Sequence, residues 1–186
     1  MGHLLLKMGR IDKQEMHKVE KLSEAYGKAS FKFAYLLDQE EEERQRGVTI
    51  DVGQNYFETK TRQFVILDAP GHRDFVPNMI MGASQADCAI LVIDGNISEF
   101  ERGFEGGGTK EHAILARSLG VTQICVAVNK LDLVGWSSER YNEIVGKVLP
   151  FLKSIGFRQQ SIEFVPISGL VGTNLSDSPT DVPELT

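Results

Sequence analysis

From Asp12 to Tyr26 polar residues dominate, while Met16, Val19 and Tyr26 fall roughly on one helical face, which predicts an amphipathic helix. A short aromatic segment, Phe31 to Leu37, follows, and then an acidic run, Glu40 to Glu43, that reads as a solvated helix face. Beyond Gly47 the pattern changes. Val48 to Phe57 and Phe64 to Leu67 are rich in β-forming residues and predict two strands, the second of them buried. The apolar run Cys88 to Ile93 predicts a third strand, followed by a Gly-rich loop and a helix from about Lys110 to Leu119. Gln123 to Val128 is a further apolar strand, Ser137 to Ile155 a long amphipathic helix, and Ile162 to Ile167 the last strand. From Leu170 the periodicity stops, so residues 170–186 are expected to be a disordered tail behind a domain of residues 1–169.

Three apolar strands separated by helices imply parallel crossover connections. The expected fold is therefore α/β: a mostly parallel open sheet with helices on both faces, whose ligands bind beyond the carboxyl ends of the strands. With 186 residues, 41% of them apolar and 25% charged, the chain can bury a core without staples. Cys88 and Cys125 both lie in apolar runs and read as reduced thiols in a cytoplasmic setting. No apolar run approaches the roughly 18 residues of a membrane span, and Met1 to Arg10 has the make-up of neither a signal nor a transit peptide. The net charge of −6 leaves no bulk attraction to nucleic acid and argues against DNA as a partner, so any nucleic-acid contact must be local.

The chemistry sits at the predicted strand ends. Phe64 to Leu67 runs into Asp68-Ala69-Pro70-Gly71-His72. An aspartate there can hold Mg²⁺ beside a nucleotide's phosphates, Gly71 lets a backbone N–H approach a terminal phosphate, and His72 can orient an attacking water. An isolated aspartate would more often be a turn former; five such residues together after a strand favour the functional reading. Asn129-Lys130-Leu131-Asp132 follows the strand Gln123 to Val128. The Asp132 carboxylate can accept from guanine's N1–H and exocyclic amine, donors that adenine lacks, and the Lys130 stem can cover the face of the base. After the last strand, Ser168-Gly169-Leu170 can offer backbone N–H groups to the guanine oxygen, although alone it is an ordinary turn. In Arg46-Gly47-Val48-Thr49-Ile50, Thr49 can ligate Mg²⁺ only while a γ-phosphate is present. The glycine-rich stretch Gly103 to Gly108 imitates a phosphate loop but lacks a following Lys-Ser or Lys-Thr, and it reads as a flexible connection. His3, His17 and His112 show no metal-ligand spacing and read as surface or packing residues.

These segments together resemble the GTP-binding domain of the elongation factor Tu superfamily. Arg46 to Ile50 is similar to its first switch, Asp68 to His72 to its second, and Asn129 to Asp132 to its guanine motif. The insert Ile11 to Arg46 and the segment from Phe100 to His112 match the eukaryotic branch. Phe75-Val76-Pro77-Asn78-Met79-Ile80 favours release-factor and rescue GTPases within that branch. Residues 129–157, with Trp136, Glu139-Arg140 and Gly146-Lys147, and the segment Arg117 to Gln123 most resemble the Pelota-associated Hbs-type ribosome-rescue GTPases. The resemblance implies a P-loop-NTPase-like domain binding GTP or GDP with Mg²⁺. It implies hydrolysis triggered by the ribosome, with His72 positioning water, and a Pelota-like release-factor homologue as partner in ribosome rescue and mRNA surveillance.

One departure from the family stands at the front. No Gly-x-x-x-x-Gly-Lys-Ser/Thr motif occurs: Gly27-Lys28 is followed by Ala29, and Gly146-Lys147 by Val148. The family's first strand and phosphate loop are thus expected to be absent, and Met1 to Leu5 is similar to the helix that follows that loop. A fragment, a splice product and a gene-model boundary all stay open as causes, and the chain alone is expected to bind GTP poorly. Two other readings stand beside the rescue GTPase: a termination GTPase of the release-factor class and an interaction module that does not hydrolyse GTP.

Overall fold

A computed structural model describes residues 1–25, 32–37, 42–43, 49–71 and 73–176. The chain divides into two compact units, Met1–Gly82 and Ala83–Thr186.

In the first unit, helix α1 (Gly2–Lys7) is short and presents Leu5 to the interior. Gly2 sits so close to the Phe33 carbonyl that a Cβ would meet its oxygen at 1.9 Å, and the His3 ring stacks on Phe33 at 4.1 Å. His3 is therefore a packing residue. Helix α2 (Lys13–Ala25) coincides with the amphipathic stretch read from the sequence, with Met16 and Val19 buried; Asp12 caps it by accepting the Glu15 N–H at 2.7 Å. Strands β1 (Gly53–Glu58) and β2 (Gln63–Asp68) form an antiparallel pair in which Gly53 faces Asp68 and Phe57 faces Phe64. Helix α3 (Val76–Ala83) follows a 3₁₀ turn at Arg73–Phe75 and buries Met79 and Gly82.

Two expectations are corrected here. The strand expected from Val48 begins only at Gly53, because the backbone of Ile50 and Asp51 is bonded to side chains instead of a neighbouring strand. Strand β2 is not buried along its length: Gln63, Phe64 and Val65 are exposed, Val65 sharing its face with exposed Tyr56.

The second unit carries a parallel sheet in the order β3 (Cys88–Asp94), β4 (Gln123–Asn129), β5 (Ile162–Pro166), with Asp94 opposite Asn129 and Val128 opposite Pro166. The crossovers are made by α4 (Glu99–Glu105), α5 (Gly108–Ser118) and α6 (Ser138–Ser154), as the alternation of apolar runs and helices predicts. Ile93, Ile124, Val126, Val128 and Ile162 form a core with Phe100, Phe104, Ala113, Ile144, Val148 and Leu152. Helix α6 starts where Ser137 accepts the Arg140 N–H, and its period of three to four places Ile144, Val148 and Leu152 inward.

The stretch after β3 is not the flexible connection expected from its glycines. Phe100 and Phe104 are buried one helical turn apart and stack at 5.3 Å, which winds Glu99–Glu105 into a helix. Glycine is required by conformation at Gly107, where φ is 99°, and by space at Gly106, where a Cβ would meet the Arg102 carbonyl oxygen at 2.2 Å. Strand β3 also differs from a fully buried strand. Ala89, Leu91 and Ile93 pack on the core, whereas Cys88, Ile90 and Val92, on the opposite face of an outer strand, are exposed. Both cysteines are free thiols, and burial pushes the Cys125 thiol above its usual range, helped by Glu163 and Cys88. His112, half-buried in α5, has its pKa lowered by burial against the opposing pull of Glu111, as befits a packing histidine. No helix of the described residues is long and apolar enough to cross a membrane.

Candidate functional site

At the end of β4 the chain turns sharply. Lys130 takes a left-handed conformation (φ 63°), and Leu131–Val134 form a 3₁₀ turn anchored by Leu131, which is fully buried. The Leu133 N–H donates to the Lys130 carbonyl at 3.1 Å and the Trp136 N–H to the Leu131 carbonyl at 2.9 Å. Asp132 lies half-buried inside this turn.

Asn129 joins the turn to the loop after β5. Its Oδ1 accepts the Lys130 N–H at 2.8 Å and the Gly169 N–H, 40 residues further along the chain, also at 2.8 Å. A side chain at Gly169 would press on this clamp, with a Cβ only 3.2 Å from Asn129 Oδ1. Ser168 is fully buried, and its Oγ accepts the Val171 N–H at 3.3 Å. The loop closes through Ser168 N–H to Thr173 and Asn174 Nδ2 to the Pro166 carbonyl. Residues 168–174 are therefore a hydrogen-bonded turn within the stretch where the tail was expected to begin; residues 177–186 lie outside the described residues. Asn129, Lys130 and Gly169 are thus tied together from two strand ends, and Asp132, Ser168 and Leu170 lie on the same two segments of one unit.

Sequence reasoning missed the groups that brace this cluster. The Lys130 ammonium donates to Asp94 Oδ2 at 2.6 Å, from the end of the neighbouring strand. The Gly95 N–H donates to the Asn129 carbonyl at 2.7 Å, and a Cβ at Gly95 would lie 3.0 Å from that oxygen. Arg140, with a side chain only 9% exposed, donates to the Gly95 and Asn96 carbonyls and to both oxygens of Glu101. That hydrogen bonding, with the positive charge beside it, lowers the Glu101 pKa to about 2. Nothing in the local pattern marks these residues, because each partner is more than 30 positions away.

In the first unit Asp68 ends β2, with Ala69, Pro70 and Gly71 directly after it, Pro70 being buried. Burial raises the Asp68 pKa; the Met1 amino group opposes this and the Glu43 carboxylate adds to it. Thr49 begins a described stretch whose backbone is pinned. The Ile50 and Asp51 N–H groups donate to Glu43 Oε1 at 2.8 and 3.1 Å, and Asn78 Nδ2 donates to the Ile50 carbonyl at 2.8 Å. Glu43 is thus buried, with only 3% of its surface exposed, and the solvated acidic face read from the sequence does not hold for it. It is occupied as an acceptor for two backbone donors. His72 lies outside the described residues, as do Arg46, Gly47 and Val48.

Among the described residues no group of three or more His, Cys, Asp or Glu could hold a metal ion. A lone carboxylate and a hydroxyl suit Mg²⁺, which keeps most of its coordination for water and phosphate oxygens, and a cation would relieve the raised Asp68 pKa. In chemical type, Asp68 and Thr49 fit that ion.

The family described as elongation factor Tu GTP binding domain matches residues 1–183. The chain is 56% identical over 177 residues to Protein HBS1 of Drosophila melanogaster, covering 95% of this chain and 26% of that protein. It is 53% identical over 183 residues to elongation factor 1-alpha of Mucor circinelloides f. lusitanicus, covering 98% of this chain and 40% of the relative. Among solved structures it resembles sup35 complexed with GDP, with a TM-score of 0.65 and 33% identity over 96% of this chain and 35% of that one. The chain therefore spans between a quarter and two fifths of the length of the curated relatives it matches.

Proposed function

The chain belongs to the elongation factor Tu GTP-binding domain family, that of the translational GTPases, and on that premise we propose that it reads and hydrolyses GTP for a cytoplasmic factor that rescues stalled ribosomes. In this reading it acts on the ribosome, in mRNA surveillance, with a Pelota-like release-factor homologue. The Asn129 clamp is the observation that supports the guanine half: one side-chain oxygen ties the Lys130 turn, which carries Asp132, to the Gly169 loop. Asp132 takes guanine's two edge donors, the Lys130 stem covers the base, and Ser168 to Leu170 face the guanine oxygen.

On the phosphate side Asp68 and Thr49 would hold Mg²⁺, which when bound neutralises charge on the phosphate oxygens. The Gly71 N–H approaches the terminal phosphate, and His72 orients the attacking water. The release-factor class remains the second reading, since Pro77 is common to both. Capture of Pelota against capture of a stop-codon-reading release factor separates them. A third reading, an interaction module that does not hydrolyse GTP, is tested by ribosome-stimulated turnover.

Replacing Asp132 by Asn tests the guanine assignment. GTP binding should weaken, while xanthosine triphosphate, whose base presents a different donor pattern, should gain in relative affinity. An unchanged nucleotide preference would remove Asp132 from the site.

A further inference from the structure

We propose that Asp94 is a positioning residue for the nucleotide base, acting through Lys130. The inference rests on the guanine reading above and adds to it a residue outside the guanine motif. Lys130 is fixed at both ends. Its backbone is locked at φ 63° with its N–H on Asn129 Oδ1, and its ammonium lies on Asp94 Oδ2 at 2.6 Å. The four-carbon stem between those points would otherwise sample many rotamers, and ordering it when a base arrives costs conformational entropy.

Asp94 is itself held. Its Oδ1 accepts the Asn96 N–H at 2.9 Å, the next residue's N–H donates to the Asn129 carbonyl, and the Gly95 and Asn96 carbonyls accept from Arg140. The carboxylate is therefore a fixed post, 23% exposed, against which a 52% exposed lysine is tethered. A tether so near the solvent acts modestly, and it acts on the face of the base, which all purines share.

The test is a titration of the 186-residue chain with GDP and inosine diphosphate, followed by amide chemical shifts. Asp94→Asn keeps an acceptor for the Asn96 N–H while removing the charge that holds Lys130. It should weaken both nucleotides alike, by about 2- to 5-fold. Lys130→Met should reproduce that loss, and Asp94→Asn should add nothing in the Lys130→Met background. A structural role would disturb Asp132 and change the ratio of GDP to inosine diphosphate affinity. An altered ratio, an unchanged or tighter affinity in Asp94→Asn, or a full further loss in the double variant overturns the proposal while leaving the guanine reading intact. Equal binding of GDP and ADP by the unsubstituted chain removes the guanine reading itself, and this proposal with it.

Discussion

At the residue scale, the same side-chain types do opposite work depending on what they meet. Glu42 is exposed, while Glu43 is buried with the Ile50 and Asp51 N–H groups on one oxygen. Glu43→Ala leaves those two donors without their acceptor and should destabilise the chain by roughly 1–3 kcal/mol in chemical denaturation. Glu43→Gln, which keeps an oxygen in place, should recover most of that loss. Equal stability for the alanine variant and the parent would show that the bonds to Glu43 do not hold the Thr49–Asp51 stretch. Composition cannot separate two adjacent glutamates, because the distinction lies in partners seven and eight positions away. The strand end and turn at Asn129 to Asp132 were legible for the converse reason: these residues are consecutive, at the end of an apolar run.

At the scale of elements, strands β3 to β5 and helices α5 and α6 were legible because their apolar runs and amphipathic period follow directly from packing on one core. Helix α4 was not, since its glycines read as punctuation while Phe100 and Phe104 were building a face. That helix also supplies Glu101, which with Arg140 ties α4 and α6 to the loop after β3. The ion pair has a pH signature. The folded-state Glu101 pKa of about 2 lies below its usual 4.5, so its contribution is complete above that usual value and is lost as pH falls from about 4.5 towards 2. Arg140→Met should return the Glu101 carboxyl to near its ordinary titration in carbon-detected NMR and remove this acid limb from the stability profile. At neutral pH it should cost about 2 kcal/mol, less than a fully buried pair because Glu101 keeps 31% of its side chain exposed. An acid limb unchanged by the substitution would assign it to other carboxylates.

At the scale of the whole molecule, the residues proposed for phosphate and for base belong to different units. Asp68, Gly71 and Thr49 belong to residues 1–82, and Asn129, Lys130, Asp132 and Ser168 to Leu170 belong to residues 83–186. The residues proposed for the base lie within one unit: the turn, the clamp, the loop and the bonds made by Asp94 and by Arg140 all come from β3 to β5 and the segments between and after them. Base discrimination should therefore survive where phosphate contacts are weak, and these 186 residues contain no Gly-x-x-x-x-Gly-Lys-Ser/Thr motif. The most direct measurement is amide chemical-shift mapping of the chain titrated in parallel with GDP and ADP. The account predicts that GDP shifts Lys130, Leu131, Gly169 and Leu170 in a saturable way while ADP leaves them in place. Equal responses to the two nucleotides, or GDP shifts confined to other residues, would contradict it.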